Sequence, residues 1–109
     1  MGVYELLMMS IENKDAGHYI GALHEEYEFV RHQSGTTMNK KQFSEMLRTM
    51  MASTDVVIKD PRCIYENDQI LVEHSIMGFP DGSTEAVMGV HTKKDGQIIR
   101  TETGATLLS

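Results

Sequence analysis

The sequence predicts an α+β domain, with helices packed against one face of a mainly antiparallel sheet. Two observations indicate this. All the helix-type spacing of apolar residues lies upstream of residue 54, and from there onward the chain has the pattern of strands separated by turns at 66–68, 80–82 and 94–96. Two of these turns contain Asp-Gly, a strong hairpin signal because Gly favours and Asp tolerates a positive φ. Strands joined by such tight turns form an antiparallel meander.

Three helices are predicted before the meander. The first should end near residues 12–13, and its apolar stripe repeats every three or four residues: Tyr4, Leu7, Met8 and Ile11. We expect Asp15 to cap a short second helix. The third begins at Asn39, which with Gln42 has the spacing of a capping box. Its apolar face consists of Phe43, Met46, Leu47, Met50 and Met51.

An early strand is predicted over residues 25–33. Tyr27, Phe29 and Arg31 lie on one side of it, whereas the acids Glu26 and Glu28 lie on the other. The later strands should cover 56–58, 63–65, 70–79, 85–93 and 97–108. Residues 70–72 and 76–77 are apolar on both faces of one strand, so both faces should be covered. The helices can cover one face only, and we therefore expect a homodimer in which a second copy covers the other.

Composition restricts the class of protein. The 109 residues fit one domain spanning 1–109, and the net charge of −6 with no basic cluster longer than a pair argues against nucleic-acid binding. No apolar run reaches membrane-spanning length, so no membrane partner is expected. The single cysteine, Cys63, is typical of a cytoplasmic protein. Nine methionines are consistent with an adaptable apolar cavity as well as with ordinary core filling.

The order of helix, short helix, strand, helix and long meander resembles the nuclear transport factor 2-like superfamily, and within it the small SnoaL-like proteins. Three stretches carry the likeness: the polar junction 13–15 ending in Asp, the strand, Gly turn and Lys-bearing helix start over 29–43, and the Asp-Gly-x-Ile hairpin within 94–99. The resemblance implies a strongly curved sheet wrapped round the helices as an open cone, an apolar cavity with a few polar groups, and dimerisation through the outer sheet face.

Members of that superfamily include isomerases, dehydratases, cyclases, epoxide hydrolases and binding modules, so the likeness does not settle the activity. Members of the ketosteroid isomerase branch carry a Tyr on the first helix, an Asp at the end of the first strand and an acidic residue on one of the last strands. The corresponding positions hold Leu7, Arg31 and, within one residue, Val90. We therefore expect no proton abstraction by that particular set.

Six residues are predicted to contact a ligand: Tyr27, Phe29, Arg31, Met46, Met50 and His74. Arg31 could hold a ligand carboxylate bidentately, or it could pair with a neighbouring acid. His74 could be a general base near neutrality, or a core histidine held by one hydrogen bond. His32 is the other acid–base candidate. His91 shares a side with Val87 and Gly89 and ranks below His74.

No metal or cofactor is expected, because the sequence contains neither Cys-x-x-Cys nor His-Glu-x-x-His. Three functions stay open. The first is a cytoplasmic homodimer that binds a small apolar or weakly acidic molecule. The second is an isomerase, dehydratase or cyclase that uses His74 or His32, with Arg31 as anion holder. The third is a protein-interaction module, which a cavity plugged by Phe29, Met46 and Met50 would favour.

Overall fold

The computed structural model describes residues 2–108, and within them the chain forms three helices and a six-stranded sheet. The elements in chain order are α1 (Val3–Asn13), α2 (Gly17–Gly21), β1 (Leu23–Arg31), β2 (Thr36–Asn39), α3 (Lys40–Ala52), β3 (Val57–Glu66), β4 (Ile70–Gly78), β5 (Thr84–Lys94) and β6 (Gln97–Leu107). The strand order is β2-β1-β6-β5-β4-β3. Neighbours are antiparallel except for the parallel pair β1 and β6. The predicted α+β class with a mixed, mainly antiparallel sheet is confirmed.

The start of α3 follows the predicted capping box. The Asn39 Oδ1 atom accepts a hydrogen bond of 2.9 Å from the Gln42 N–H, and the Asn39 N–H donates one of 3.0 Å to Gln42 Oε1. Three members of the predicted apolar face, Phe43, Leu47 and Met51, are buried. Two amide groups at the helix start are therefore satisfied locally, and the apolar face is free to pack on the sheet.

The other two helices begin differently. Helix α1 has no side-chain cap of its own, and Glu66 Oε2 of β3 accepts a hydrogen bond of 2.8 Å from the Val3 N–H. At α2, Asp15 Oδ1 accepts a hydrogen bond of 2.9 Å from the Gly17 N–H, although Ala16 occupies the cap position itself. No helix within residues 2–108 is long and apolar enough to cross a membrane.

Two strands differ from the sequence prediction. The short strand β2 lies in the region read only as a turn and the approach to α3. Strand β3 continues through Pro61 instead of breaking there. Asp60 takes a positive φ of 51°, and the pairing with β4 is irregular between Lys59 and Arg62. A proline is tolerated here because β3 is an edge strand, where a missing N–H need not break a central ladder.

The core lies between the helices and one face of the sheet, which we call the inner face. Its most buried apolar side chains are Leu7, Leu23, Leu47, Leu71 and Ile98. Residues that alternate with Leu71 along β4 belong to the opposite, outer face. These residues, Ile70, Val72, His74 and Ile76, are all half-buried. The helices therefore cover the inner face and leave an apolar outer face only partly shielded.

Candidate ligand-binding cavity

A cavity of about 400 Å³ lies between the helices and the inner face. This volume is within the usual range for small-molecule sites. Much of its wall is flexible and apolar, with six methionines: Met8, Met38, Met46, Met50, Met51 and Met77. Aromatic rings form a second part of the wall, where the centroids of Phe29 and Phe43 are 4.7 Å apart and those of Tyr19 and Phe43 are 5.7 Å apart. The wall is mainly apolar and can adapt its shape.

A short chain of polar side chains crosses this apolar wall on three adjacent strands. His91 of β5 is only 2% exposed. Its Nε2 atom lies 2.9 Å from Oε2 of Glu73 on β4, and its Nδ1 atom lies 2.7 Å from Oγ1 of Thr101 on β6. A carboxylate can only accept, so Nε2 carries a hydrogen, and in the neutral ring Nδ1 accepts the Thr101 hydroxyl hydrogen. Both nitrogens of neutral His91 are therefore occupied by protein groups.

Gly89 makes room for this chain. It lies directly opposite Glu73 in the pairing of β4 with β5. A Cβ atom at Gly89 would be 3.3 Å from Cγ of Glu73 and 3.4 Å from Nε2 of His91. Contacts of this length are tighter than ordinary van der Waals packing, so any larger residue would displace one member of the pair. The lack of a side chain at Gly89 therefore leaves room for the hydrogen bond between Glu73 and His91.

Further polar groups lie in or beside the cavity wall. Burial raises the pKa of Tyr19 well above its ordinary value, with smaller contributions from Tyr27 and Glu73. Burial also raises the pKa of Tyr27. Both phenols therefore stay protonated and uncharged. The Thr103 hydroxyl is buried at the cavity and has no hydrogen-bond partner within residues 2–108. Buried hydroxyl groups nearly always have a hydrogen-bond partner, and a polar group of a bound ligand would supply one here.

Arg31 also lines the cavity, but its charge is already compensated. Its Nη2 atom donates to both oxygens of Glu85, at 2.9 and 3.1 Å, and to Gln33 Oε1 at 2.9 Å. The Glu85 side chain is 7% exposed and that of Arg31 is 26% exposed. If Arg31 were replaced, or turned away to hold a ligand, the buried carboxylate of Glu85 would lose its partner. Of the two readings of Arg31, the geometry matches pairing with a neighbouring acid.

The structure distributes the sequence-predicted site residues over three places. Phe29, Arg31, Met46 and Met50 line the cavity, as the parity and helix-face arguments expected. Tyr27 is not among its lining residues. It is buried in the core, with its ring centroid 5.1 Å from that of Phe43.

Of the two candidate acid–base histidines, His74 borders the cavity and His32 does not. The Nε2 atom of exposed His32 is 3.0 Å from Oε1 of Glu102, and His32 is not among the described residues that line the cavity. The cavity borders on His74, but strand alternation assigns its side chain to the outer face, opposite Met88 of β5. His74 is nevertheless one of the residues that line the cavity, and its role there stays a prediction.

The inward-facing polar residue on β4 is instead Glu73, which the sequence analysis did not single out. The signal was parity: Glu73 lies on the same side of the strand as Leu71 and Ser75, and both of these are buried. His91 was considered on the same ground and then ranked below His74. Within residues 2–108, no group of three or more His, Cys, Asp or Glu side chains is placed to hold a metal ion.

No protein-family model matches the sequence, and no curated protein matches it either. Solved structures match almost the whole chain. A nuclear transport factor 2-like protein from Mesorhizobium loti superposes with a TM-score of 0.79 at 11% identity, over 95% of this chain and 90% of that one. The protein has the nuclear transport factor 2-like fold. The fold that the resemblance implied is therefore confirmed.

Several matching structures carry names of enzymes, and two of them are described here. A steroid delta-isomerase from Pseudomonas aeruginosa has a TM-score of 0.71 at 14% identity, over 95% of this chain and 77% of that one. An epoxide hydrolase from M. tuberculosis has a TM-score of 0.70 at 14% identity, over 95% of this chain and 80% of that one. Identities of this size establish a common fold and do not transfer an activity.

Proposed function

We propose that the protein binds a small, mainly apolar organic molecule in the cavity, with one polar group of that molecule beside Glu73. The observation that carries this proposal is the chain of Glu73, His91 and Thr101 in an otherwise apolar wall. Burying three polar side chains stabilises a core little more than well-packed apolar residues would. Their position beside an open space of about 400 Å³ therefore supports a role in recognition.

An acid–base enzyme of the isomerase, dehydratase or cyclase class is the second candidate. It is favoured by the Oε1 atom of Glu73, which has no hydrogen bond within residues 2–108, whereas Oε2 holds His91. Because both nitrogens of neutral His91 are engaged, Glu73 is the group left to accept a proton from a bound molecule. His91 would then be a positioning residue that orients the carboxylate.

A pure interaction module has less support. A cavity filled by Phe29, Met46 and Met50 would favour such a module, whereas these side chains line an open space.

We also propose that the protein is a homodimer. Its outer face carries the half-buried apolar side chains of β4, and Met88 on β5 is 44% exposed. A second copy of the same face is a suitable cover, since the patches would match each other by symmetry.

Amide-resolved NMR with a set of neutral aromatic and alicyclic compounds tests the binding proposal. Shifts should concentrate on cavity-lining residues such as Phe43 and His91. Met46→Trp, which fills the cavity, should abolish them, whereas Glu45→Trp on the exposed side of the same helix should not. Binding that survives Met46→Trp, or no binding by any compound, would refute the proposal.

The enzyme candidate has a separate test. A bound ketone should exchange hydrogen beside its carbonyl in deuterated water, and Glu73→Gln should abolish this exchange without abolishing binding. Exchange that is undiminished in Glu73→Gln would exclude Glu73 as the base.

A further inference from the structure

We propose that the ligand of this cavity carries a protonated amine on an apolar body, and that the ammonium group pairs with Glu73. This inference rests on the proposed ligand-binding function and names the chemical class of the ligand. It follows from three properties of the site: its charge balance, the open oxygen of Glu73 and the aromatic wall.

When His91 is neutral, as in the tautomer described above, the charge balance of the cavity wall is negative. Arg31 is matched by Glu85, whose two carboxylate oxygens lie 2.9 and 3.1 Å from its Nη2 atom. The Tyr19 hydroxyl stays protonated because burial raises its pKa. With His91 in its neutral form, the carboxylate of Glu73 is the one charge among the described lining residues that no opposite charge compensates. A cation is the group that compensates it.

The geometry of Glu73 leaves room for such a partner. One oxygen, Oε2, accepts the hydrogen bond from His91, and Oε1 has no partner within residues 2–108. The Glu73 side chain is 24% exposed, so a group in the cavity can reach it. A carboxylate has about four acceptor sites, and an ammonium group has up to three N–H donors. The unpartnered hydroxyl of Thr103 lies on the same cavity wall, across Gly89 from Glu73 in the sheet, and is a further polar group that a ligand can contact.

The rest of the wall suits a cation attached to an apolar ring system. Five phenyl or phenol rings line the cavity: those of Tyr4, Tyr19, Phe29, Phe43 and Phe79. Aromatic faces attract cations within about 6 Å of the ring centroid, more strongly when water is excluded. A carboxylate ligand would meet the charge of Glu73 and find Arg31 already engaged. The weakly acidic ligand expected from the sequence depended on a free guanidinium group at Arg31.

A matched series of three compounds tests this inference on the wild-type protein. Naphthylmethylamine, naphthylmethanol and naphthoic acid share one ring system and differ in charge. Titration followed by amide-resolved NMR and calorimetry should show the amine binding about 10- to 100-fold more tightly than the alcohol, the range expected for a hydrogen bond to a charged group. The acid should bind more weakly than the alcohol.

Two variants assign the preference to Glu73. Glu73→Gln keeps an oxygen that can accept from His91, and it should bring amine and alcohol affinities within about twofold of each other. Glu26→Gln removes a carboxylate from an exposed position on β1 and should leave the preference unchanged. A preference of the amine that persists in Glu73→Gln, or that disappears in high salt, reflects attraction to the net charge of −6 and overturns the inference.

The remaining outcomes separate this inference from the proposed function. If the alcohol binds in the cavity and the acid binds as tightly as the amine or more so, the amine inference fails and the binding function stands. If none of the three binds, the proposed function fails and the inference fails with it.

Discussion

Replacing Thr101 by valine removes one hydroxyl group from the polar chain and almost nothing else. Valine has nearly the shape of threonine, so packing on β6 is preserved. The lost contact is the 2.7 Å hydrogen bond between Thr101 Oγ1 and His91 Nδ1. Thr101 is 1% exposed and His91 is 2% exposed, so solvent does not take the place of the hydroxyl.

The expected cost follows from this burial. A buried acceptor that loses its only donor costs about 1–3 kcal/mol, and the full effect applies where water is excluded. We therefore expect Thr101→Val to lower the free energy of unfolding by about 2 kcal/mol. The chain offers a matched control two residues away, since the buried hydroxyl of Thr103 has no hydrogen-bond partner within residues 2–108. Thr103→Val should therefore be neutral or stabilising.

Urea denaturation followed by circular dichroism measures the free energy of unfolding of both variants. The comparison requires that the dependence of this free energy on urea concentration has the same slope as in the wild type. A loss below about 0.5 kcal/mol for Thr101→Val would contradict the reasoning, because surface-like substitutions already produce changes of that size. Equal losses for the two variants would also refute it, since only one of the two hydroxyls has a partner to lose.

Three further changes test other parts of the structure. Burial alone would raise the pKa of the Glu66 carboxyl, but the hydrogen bond and charge of Lys93, with hydrogen bonds from the backbone of Val3 and Tyr4, outweigh it and lower that pKa. The contribution of Glu66 to the free energy of unfolding is therefore complete above the ordinary pKa of 4.5. It is lost as the pH falls through the lower pKa of the folded state. Glu66→Gln should cost about 2 kcal/mol at neutral pH, and a difference that stays constant in acid would argue against this linkage. Met88→Glu should dissociate the proposed dimer in sedimentation equilibrium, and a wild-type monomer at micromolar concentration would refute the dimer. Leu47→Ala should cost about 2–5 kcal/mol in urea unfolding and Met46→Ala less, because only Leu47 is fully buried; a larger loss for Met46 would show that the cavity is closed around it.

The cavity could be predicted from the sequence only in part. The parity of β1 and the face of α3 correctly assigned Phe29, Arg31, Met46 and Met50 to positions that line it. Parity was insufficient on β4, because this strand is apolar on both faces and a shift of one residue exchanges them. Packing of Leu71 against the helices turns Glu73 inward, and this packing is a property of the folded chain.

The sequence by itself determined the features that depend on neighbouring residues. The capping box of Asn39 and Gln42 and the tight turn at Asp95 and Gly96, with φ of 54° and 80°, arise from local backbone and side-chain chemistry. Only the tertiary structure decided which distant groups meet. Glu85 compensates Arg31 from 54 positions away, and the pairing of β4, β5 and β6 joins Glu73, His91 and Thr101. Such contacts depend on the strand order and register of the whole sheet, which no local pattern in the sequence specifies.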